Sequence, residues 1–94
     1  MSVNEITELV IGESLRIHRE LGPGLLESVY EKVLAASLVR KGLIVESQVP
    51  IAIKYDGLVI DAAFRVDLLI EKAVLIEIKS IEQLTKLHAK QLLT

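Results

Sequence analysis

Asp67, Glu77 and Lys79 are charged residues set into two otherwise apolar stretches of the sequence. Two carboxylates that reach the same point repel each other unless a divalent cation lies between them, and hard oxygen ligands suit Mg²⁺ or Mn²⁺. An ammonium group beside such a cation can orient a water molecule and neutralise a phosphate oxygen as charge develops on it. These residue types therefore suit a metal-assisted, in-line displacement at phosphorus.

The stretch from residue 73 to residue 80, Ala-Val-Leu-Ile-Glu-Ile-Lys-Ser, has the length and apolar character of a buried strand. Glu77 and Lys79 have the same parity in it, so their side chains project from one face about 6 to 7 Å apart. A half-buried carboxylate and ammonium are costly without a partner or a ligand. A structural ion pair between Glu77 and Lys79 is the alternative to a site, but it does not account for Asp67.

Two more strands are predicted ahead of this one. Residues 45–55 alternate between apolar and polar, and Asp56-Gly57 is a strong signal for a two-residue hairpin. The return strand covers residues 58–70 and carries Asp67 among its odd, partly polar positions. A tight turn then leads into the strand of Glu77, so the two carboxylates lie on adjacent strands and can converge.

Two helices are predicted to precede the strands. Apolar residues recur at helical spacing over residues 2–21, and Glu13 falls within that stripe, either as a ligand or as a side chain that bends toward solvent or pairs with an arginine. Gly-Pro-Gly at 22–24 ends the first helix, and the second continues until Gly42. Glu27 lies in the first turn of the second helix, where a carboxylate also interacts favourably with the helix dipole.

The composition restricts the class of protein. Ninety-four residues make a single domain, and the absence of cysteine excludes disulfides, thiolate zinc sites and a cysteine nucleophile, as suits a cytoplasmic protein. No signal peptide or membrane-spanning segment is predicted. The net charge of -2 and the 3% of aromatic residues argue against a strongly basic or base-stacking surface, so nucleic acid would be held through its phosphates.

A seven-residue motif, Gly-Leu-Leu-Glu-Ser-Val-Tyr at residues 24–30, matches the signature of the GxxExxY family. With Asp67 and the Glu-Ile-Lys of residues 77–79, the chain resembles the PD-(D/E)XK nuclease-like superfamily, to which that family belongs. The resemblance implies an α/β (α+β) fold with a restriction-endonuclease-like αβββα core, in which helices flank a three-stranded mixed or antiparallel sheet. It implies Mg²⁺ (or Mn²⁺) as cofactor. The implied catalytic residues are the metal ligands Asp67, Glu77 and Glu27, together with Lys79 and Gln91.

The sequence departs from the superfamily pattern at two points. Val66 replaces the proline before the first acidic position, which changes nothing in the chemistry. After Ser80 a short amphipathic helix is expected to take the chain to its end, where the core's last strand is missing, so we expect a C-terminally truncated domain. The strand of Glu77 would then have an open edge, which predicts a homodimer or other self-association. The apolar positions of this helix are Leu84, Leu87 and Leu92, and Gln91 is a polar position.

Two functions remain open at this point. The first is a metal-dependent nuclease that hydrolyses DNA or RNA. The second is a catalytically inactive nuclease-fold module for binding or assembly, which the acidic composition and the missing strand favour.

Overall fold

The structure, a computed structural model, describes residues 1–79 and 88–91. Two helices precede four strands, which form one sheet in chain order with every neighbouring pair antiparallel. The elements are α1 (Val3–Leu21), α2 (Glu27–Arg40), β1 (Val45–Tyr55), β2 (Leu58–Ile70), β3 (Val74–Glu77) and β4 (His88–Gln91). The two predicted helices and the three-stranded antiparallel sheet of β1, β2 and β3 are confirmed, and the fold is α+β.

Local signals set the ends of the elements. A capping box of Ser2 and Glu5 begins α1, because each side chain accepts the backbone N–H of the other residue. Gly22, with φ 72°, ends the helix and donates its N–H to the His18 carbonyl. The predicted hairpin at Asp56-Gly57 is present, and both residues have the positive φ that a type I′ turn requires. No helix in the described part of the chain is long and apolar enough to cross a membrane.

The main core lies between the helices and one face of the sheet. Both helices contribute an apolar stripe, and the strands contribute alternate residues of β2 and β3. Burial of these apolar side chains is the principal stabilising term of a domain of this size. The core consists of Ile6, Val10, Ile17, Tyr30, Leu34, Leu38, Leu43, Leu68, Ile70, Val74, Ile76 and Ile78.

Along β2, the even-numbered side chains do not all point to the same face of the sheet, and the change occurs near Asp67. Leu68 packs in the main core, whereas Val66, of the same parity, packs with Leu69 in a second cluster that contains no helix residue. The sequence pattern groups all even positions of β2 together and does not predict this shift. Gln48, which lies near Asp67 in the register of β1 and β2, has a left-handed backbone with φ 53°. A positive φ at a residue other than glycine is uncommon and stores backbone strain, which is often found at functional sites.

The end of the chain differs from the sequence prediction. Residues 88–91 form β4, which pairs antiparallel with β3 from Val74 to Glu77, so the predicted helix is wrong for these four residues. Leu84, Leu87 and Leu92 lie outside the described residues. The physical reason is that the backbone groups of β3 need partners, and strand pairing satisfies them. The edge of β3 on which the dimer prediction was based is therefore occupied by β4. Self-association stays a prediction, but an open edge at β3 no longer supports it.

Candidate functional site

The Asp67 carboxylate connects two elements of the predicted site. Its Oδ2 accepts a hydrogen bond of 2.7 Å from the backbone N–H of Ile78, the residue between Glu77 and Lys79. Its Oδ1 accepts a hydrogen bond of 3.3 Å from Nε2 of Gln48. The first acid is thus held against the Glu-Ile-Lys segment, as the sequence predicts for adjacent strands.

A second acid, Glu31 of α2, joins this group through Gln48. Nε2 of Gln48 donates to Oε1 of Glu31 at 2.8 Å as well as to Asp67, so one amide bridges two carboxylates. Partial burial raises the pKa of Glu31, and the negative charge of Asp67 raises it further, while the hydrogen bond from Gln48 opposes both effects. This is the electrostatic pattern of converging carboxylates.

Glu77 and Lys79, the residues immediately before and after Ile78, form an ion pair with each other. The Lys79 Nζ lies 3.2 Å from Oε2 of Glu77, and the Lys79 and Glu77 side chains are 39% and 32% exposed. The prediction that both side chains share one face of the strand is confirmed. Because both groups are accessible, the pair itself stabilises the fold only slightly, by about 0–1 kcal/mol. Each group therefore remains available to a ligand.

Two predicted site residues are placed away from this group. Glu27 is exposed in the first turn of α2, and among the described residues no hydrogen bond or ion pair joins it to Asp67 or Glu77. Gln91 pairs with Val74, at the opposite end of β3 from Glu77 and about 10 Å along the strand. Their assignment to the site stays a prediction.

Sequence reasoning missed Glu31 and Gln48. Glu31 follows Glu27 by four residues and so lies on the same face of α2, one turn further along. That spacing is a usable signal for Glu31. The sequence pattern places Gln48 on the wet face of its strand, but nothing in its sequence context marks it as the bridge between two acids.

The oxygen donors fit a hard divalent cation in chemical type. Asp67 and Glu31 approach each other closely enough to perturb a pKa, and a cation would offset that repulsion. In the described part of the chain, no three His, Asp or Glu side chains form a complete metal-binding group. Mg²⁺ is commonly held by only one or two carboxylates with waters and substrate oxygens as the other ligands, so this donor set is compatible with it.

The motif of residues 24–30 has a structural basis at the junction of α1 and α2. Gly24 has φ 97°, a conformation that side chains rarely adopt, and it allows the chain to turn from α1 into α2. Tyr30 is buried, and its hydroxyl donates a hydrogen bond to the carbonyl of Gly22. The motif therefore fixes the start of α2, the helix that presents Glu31.

A family model described as the PD-(D/E)XK nuclease superfamily matches residues 4–94. The matched range includes nearly all of α1, the whole of α2 and the sheet, and the acids Glu27, Glu31, Asp67 and Glu77. Comparison with curated proteins and with solved structures gave no match.

Proposed function

Because the chain belongs to the PD-(D/E)XK nuclease superfamily, we propose that it is a metal-dependent nuclease that hydrolyses phosphodiester bonds of DNA or RNA. Within the superfamily we assign it to the GxxExxY family on the motif of residues 24–30. The observation that carries the proposal is the hydrogen bond between Asp67 and the Ile78 N–H, since it brings the first acid to the Glu-Ile-Lys segment.

The residues take separate roles in the proposed reaction. Asp67 and Glu77 offer carboxylate oxygens to Mg²⁺ or Mn²⁺, with Glu31 or the predicted Glu27 as the helical acid. A divalent cation, when bound, supplies Lewis-acid polarisation of a phosphoryl oxygen. Lys79, released from Glu77, orients the attacking water and balances negative charge on the phosphate. Gln91 stays a predicted contributor.

Cleavage of labelled oligonucleotides tests the proposal. Single-stranded and double-stranded DNA and RNA are incubated with Mg²⁺, Mn²⁺ or a chelator. We expect cation-dependent cleavage that falls at least about 100-fold in Glu77→Gln, which loses a ligand of the cation, and in Lys79→Ala, which loses the group that acts on the water and the phosphate. Cleavage that persists in both variants at the parent rate would contradict the assignment.

Glu46 provides a matched control for Glu77. Its side chain is 38% exposed and lies 3.7 Å from Nζ of Lys72, so it forms a comparable ion pair outside the site. Glu46→Gln therefore removes the same charge from a similar environment. Its cleavage rate should equal that of the parent.

A binding module without catalysis is the second candidate, and one observation favours it. Asp67 already accepts the Ile78 N–H and Glu77 pairs with Lys79, so each acid has a partner within the protein that a bound cation would have to compete with. Isothermal titration with Mg²⁺ and Mn²⁺ distinguishes the two functions. The nuclease requires cation binding that disappears in Asp67→Asn, whereas the module retains oligonucleotide binding with no cation bound and no cleavage.

A further inference from the structure

A polar cavity of about 390 Å³ opens between the middle of α1 and the end of α2. Its lining combines three cationic side chains with one hydroxyl and one carboxylate, and the residues are Glu13, Arg16, Ser37, Arg40 and Lys41. Arg40 is nine residues after Glu31 on the same helix, about 13 Å along its axis, so the cavity is separate from the acidic group around Asp67.

Glu13 organises the cations of this cavity. It is 6% exposed, and its two oxygens face Nε of Arg16 at 2.7 Å and Nζ of Lys41 at 3.4 Å. The hydrogen bond from Arg16 lowers the pKa of Glu13, so the carboxylate is ionised at neutral pH. The negative charge of Glu13 is compensated by the positive charges of Arg16 and Lys41. The sequence alternative in which Glu13 pairs with an arginine is confirmed.

Arg16 donates from Nη1 to Oε2 of Glu20 at 3.0 Å, so each of its three nitrogens has a partner in the protein, and the donors it retains for a ligand are the second N–H of each terminal nitrogen. Arg16 also donates from Nη2 to Oγ of Ser37 at 3.3 Å, which holds the plane of its guanidinium against α2. Arg40 adds a further positive charge to the same lining. A planar guanidinium held by two carboxylates, Glu13 and Glu20, and flanked by two more cations is suited to the tetrahedral oxygens of a phosphate.

We propose that this cavity, which we call the Arg16–Arg40 pocket, binds a backbone phosphate of the nucleic acid. The proposal rests on the proposed function, because it supplies the nuclease with a second contact to the substrate strand. It also resolves a difficulty of charge. A chain with a net charge of -2 still needs local positive charge to hold a polyanion, and here three cations, Arg16, Arg40 and Lys41, outnumber the two carboxylates that contact them, Glu13 and Glu20.

Arg40 is the residue to vary, and Arg19 is its control. Arg16 and Lys41 hold the buried Glu13, so their replacement also affects folding, whereas Arg40→Gln leaves both ion pairs of Glu13 intact. Arg19→Gln removes the same charge from an exposed position of α1 outside the pocket lining.

Titration with inorganic phosphate, followed by the side-chain resonances of arginine in NMR, tests the pocket independently of cleavage. We expect saturable shifts at Arg16 in the parent and in Arg19→Gln, and a several-fold weaker response in Arg40→Gln. Shifts that are absent, or that are equal in the parent and Arg40→Gln, would overturn the pocket as a phosphate site.

Oligonucleotide affinity measured against salt concentration tests the role in strand binding. Loss of one phosphate contact should reduce the slope of log K against log salt by about 0.7 to 0.9 in Arg40→Gln and leave it unchanged in Arg19→Gln. Equal slopes in the two variants would overturn strand binding, and phosphate shifts seen alongside them would reassign the pocket to a small phosphate compound. If phosphate titrates and the slope changes but no oligonucleotide is cut, the pocket stands and the proposed nuclease activity fails.

Discussion

The carboxylate of Asp67 accepts the backbone N–H of Ile78 at 2.7 Å, just beyond the last backbone pair of β2 and β3. A side chain thus continues the strand pairing where the ladder of Leu68 and Ile76 ends. The bond keeps the end of β3 beside β2, and with it the ion pair of Glu77 and Lys79. Asp67 is consequently a structural as well as a candidate catalytic residue.

Asp67→Ala should lower the free energy of unfolding by about 1–2 kcal/mol, because the part-buried N–H of Ile78 loses its charged acceptor. Asp67→Asn keeps one oxygen for that N–H, loses the longer bond of 3.3 Å from Gln48, and removes the charge near Glu31, so its free energy of unfolding should lie within about 0.5 kcal/mol of the parent. Urea unfolding of the three proteins measures both values.

Asp61→Ala is the control for this pair, since Asp61 is an exposed aspartate on the same strand. It should leave the unfolding midpoint within error of the parent. If Asp67→Ala were no less stable than Asp61→Ala, the bond to Ile78 would contribute nothing to the fold.

Glu31→Gln should raise the melting temperature at pH 7 by a small amount, on the order of 1–2 °C. Burial and the charge of Asp67 raise the pKa of Glu31 above its ordinary value of 4.5, which remains the value in the unfolded chain. Between the pKa of Glu31 in the unfolded chain and its higher pKa in the folded protein, the folded state binds more protons than the unfolded state. The stability of the parent therefore falls as the pH rises through that window. Below 4.5 both states are protonated, and the advantage of the variant should vanish.

Thermal unfolding of the parent and Glu31→Gln from about pH 3.5 to pH 8 measures this difference across the window in which the carboxyl titrates. Glu27→Gln serves as the control, because it removes the same charge from an exposed position one turn earlier on the same helix. A melting temperature of Glu31→Gln that stays below that of the parent at pH 7 would show that the ionised Glu31 carboxylate stabilises the fold despite its burial and the charge of Asp67.

Glu13→Gln should reduce the free energy of unfolding by about 1–2 kcal/mol at pH 7, since a buried carboxylate is replaced while Arg16 and Lys41 lose their charged partner. Both partners are about half exposed and regain water, which keeps the loss below that of a fully buried pair. Because the folded pKa of Glu13 lies below 4.5, this stability is present above that pH and is lost as the pH falls through the folded pKa.

Denaturant midpoints at pH 7 and at pH 3 test this role of Glu13, and Glu20→Gln is the comparison. Glu20 pairs with the same Arg16 at 3.0 Å but is 62% exposed, so its replacement should cost little at either pH. The two variants would be indistinguishable at pH 7 if burial of Glu13 did not matter.

The helices, the hairpin and the partnership of Asp67 with Glu77-Ile78-Lys79 are predictable from the sequence, because strand parity and turn residues act over short ranges. The change of face along β2 near Gln48 is not predictable from the sequence. A residue other than glycine that adopts a left-handed backbone conformation cannot be recognised from the pattern of apolar residues. Strand β4 is also missed, because pairing with the β3 edge overrides a helical spacing in these four residues.

The role of Glu31 shows the same limit at the site. A motif that names Glu27 identifies the correct face of α2, but which acid meets Gln48 depends on how the helix packs over the sheet. That packing is a tertiary property, and spacing alone does not decide between two residues one turn apart.

Tyr30→Phe tests why the motif of residues 24–30 ends in tyrosine. The Tyr30 hydroxyl donates to the carbonyl of Gly22, so it ties the first turns of α2 to the end of α1. Loss of the bond should lower the free energy of unfolding by about 0.5–1.5 kcal/mol, because the ring keeps its packing and the carbonyl can recover water. Tyr55→Phe, at an exposed tyrosine in β1, should cost nothing measurable. Since α2 presents Glu31 to Gln48, the NMR-measured pKa of Glu31 should also move toward its ordinary value in Tyr30→Phe. An unchanged pKa together with reduced stability would restrict Tyr30 to holding the two helices together, with no influence on the acidic group.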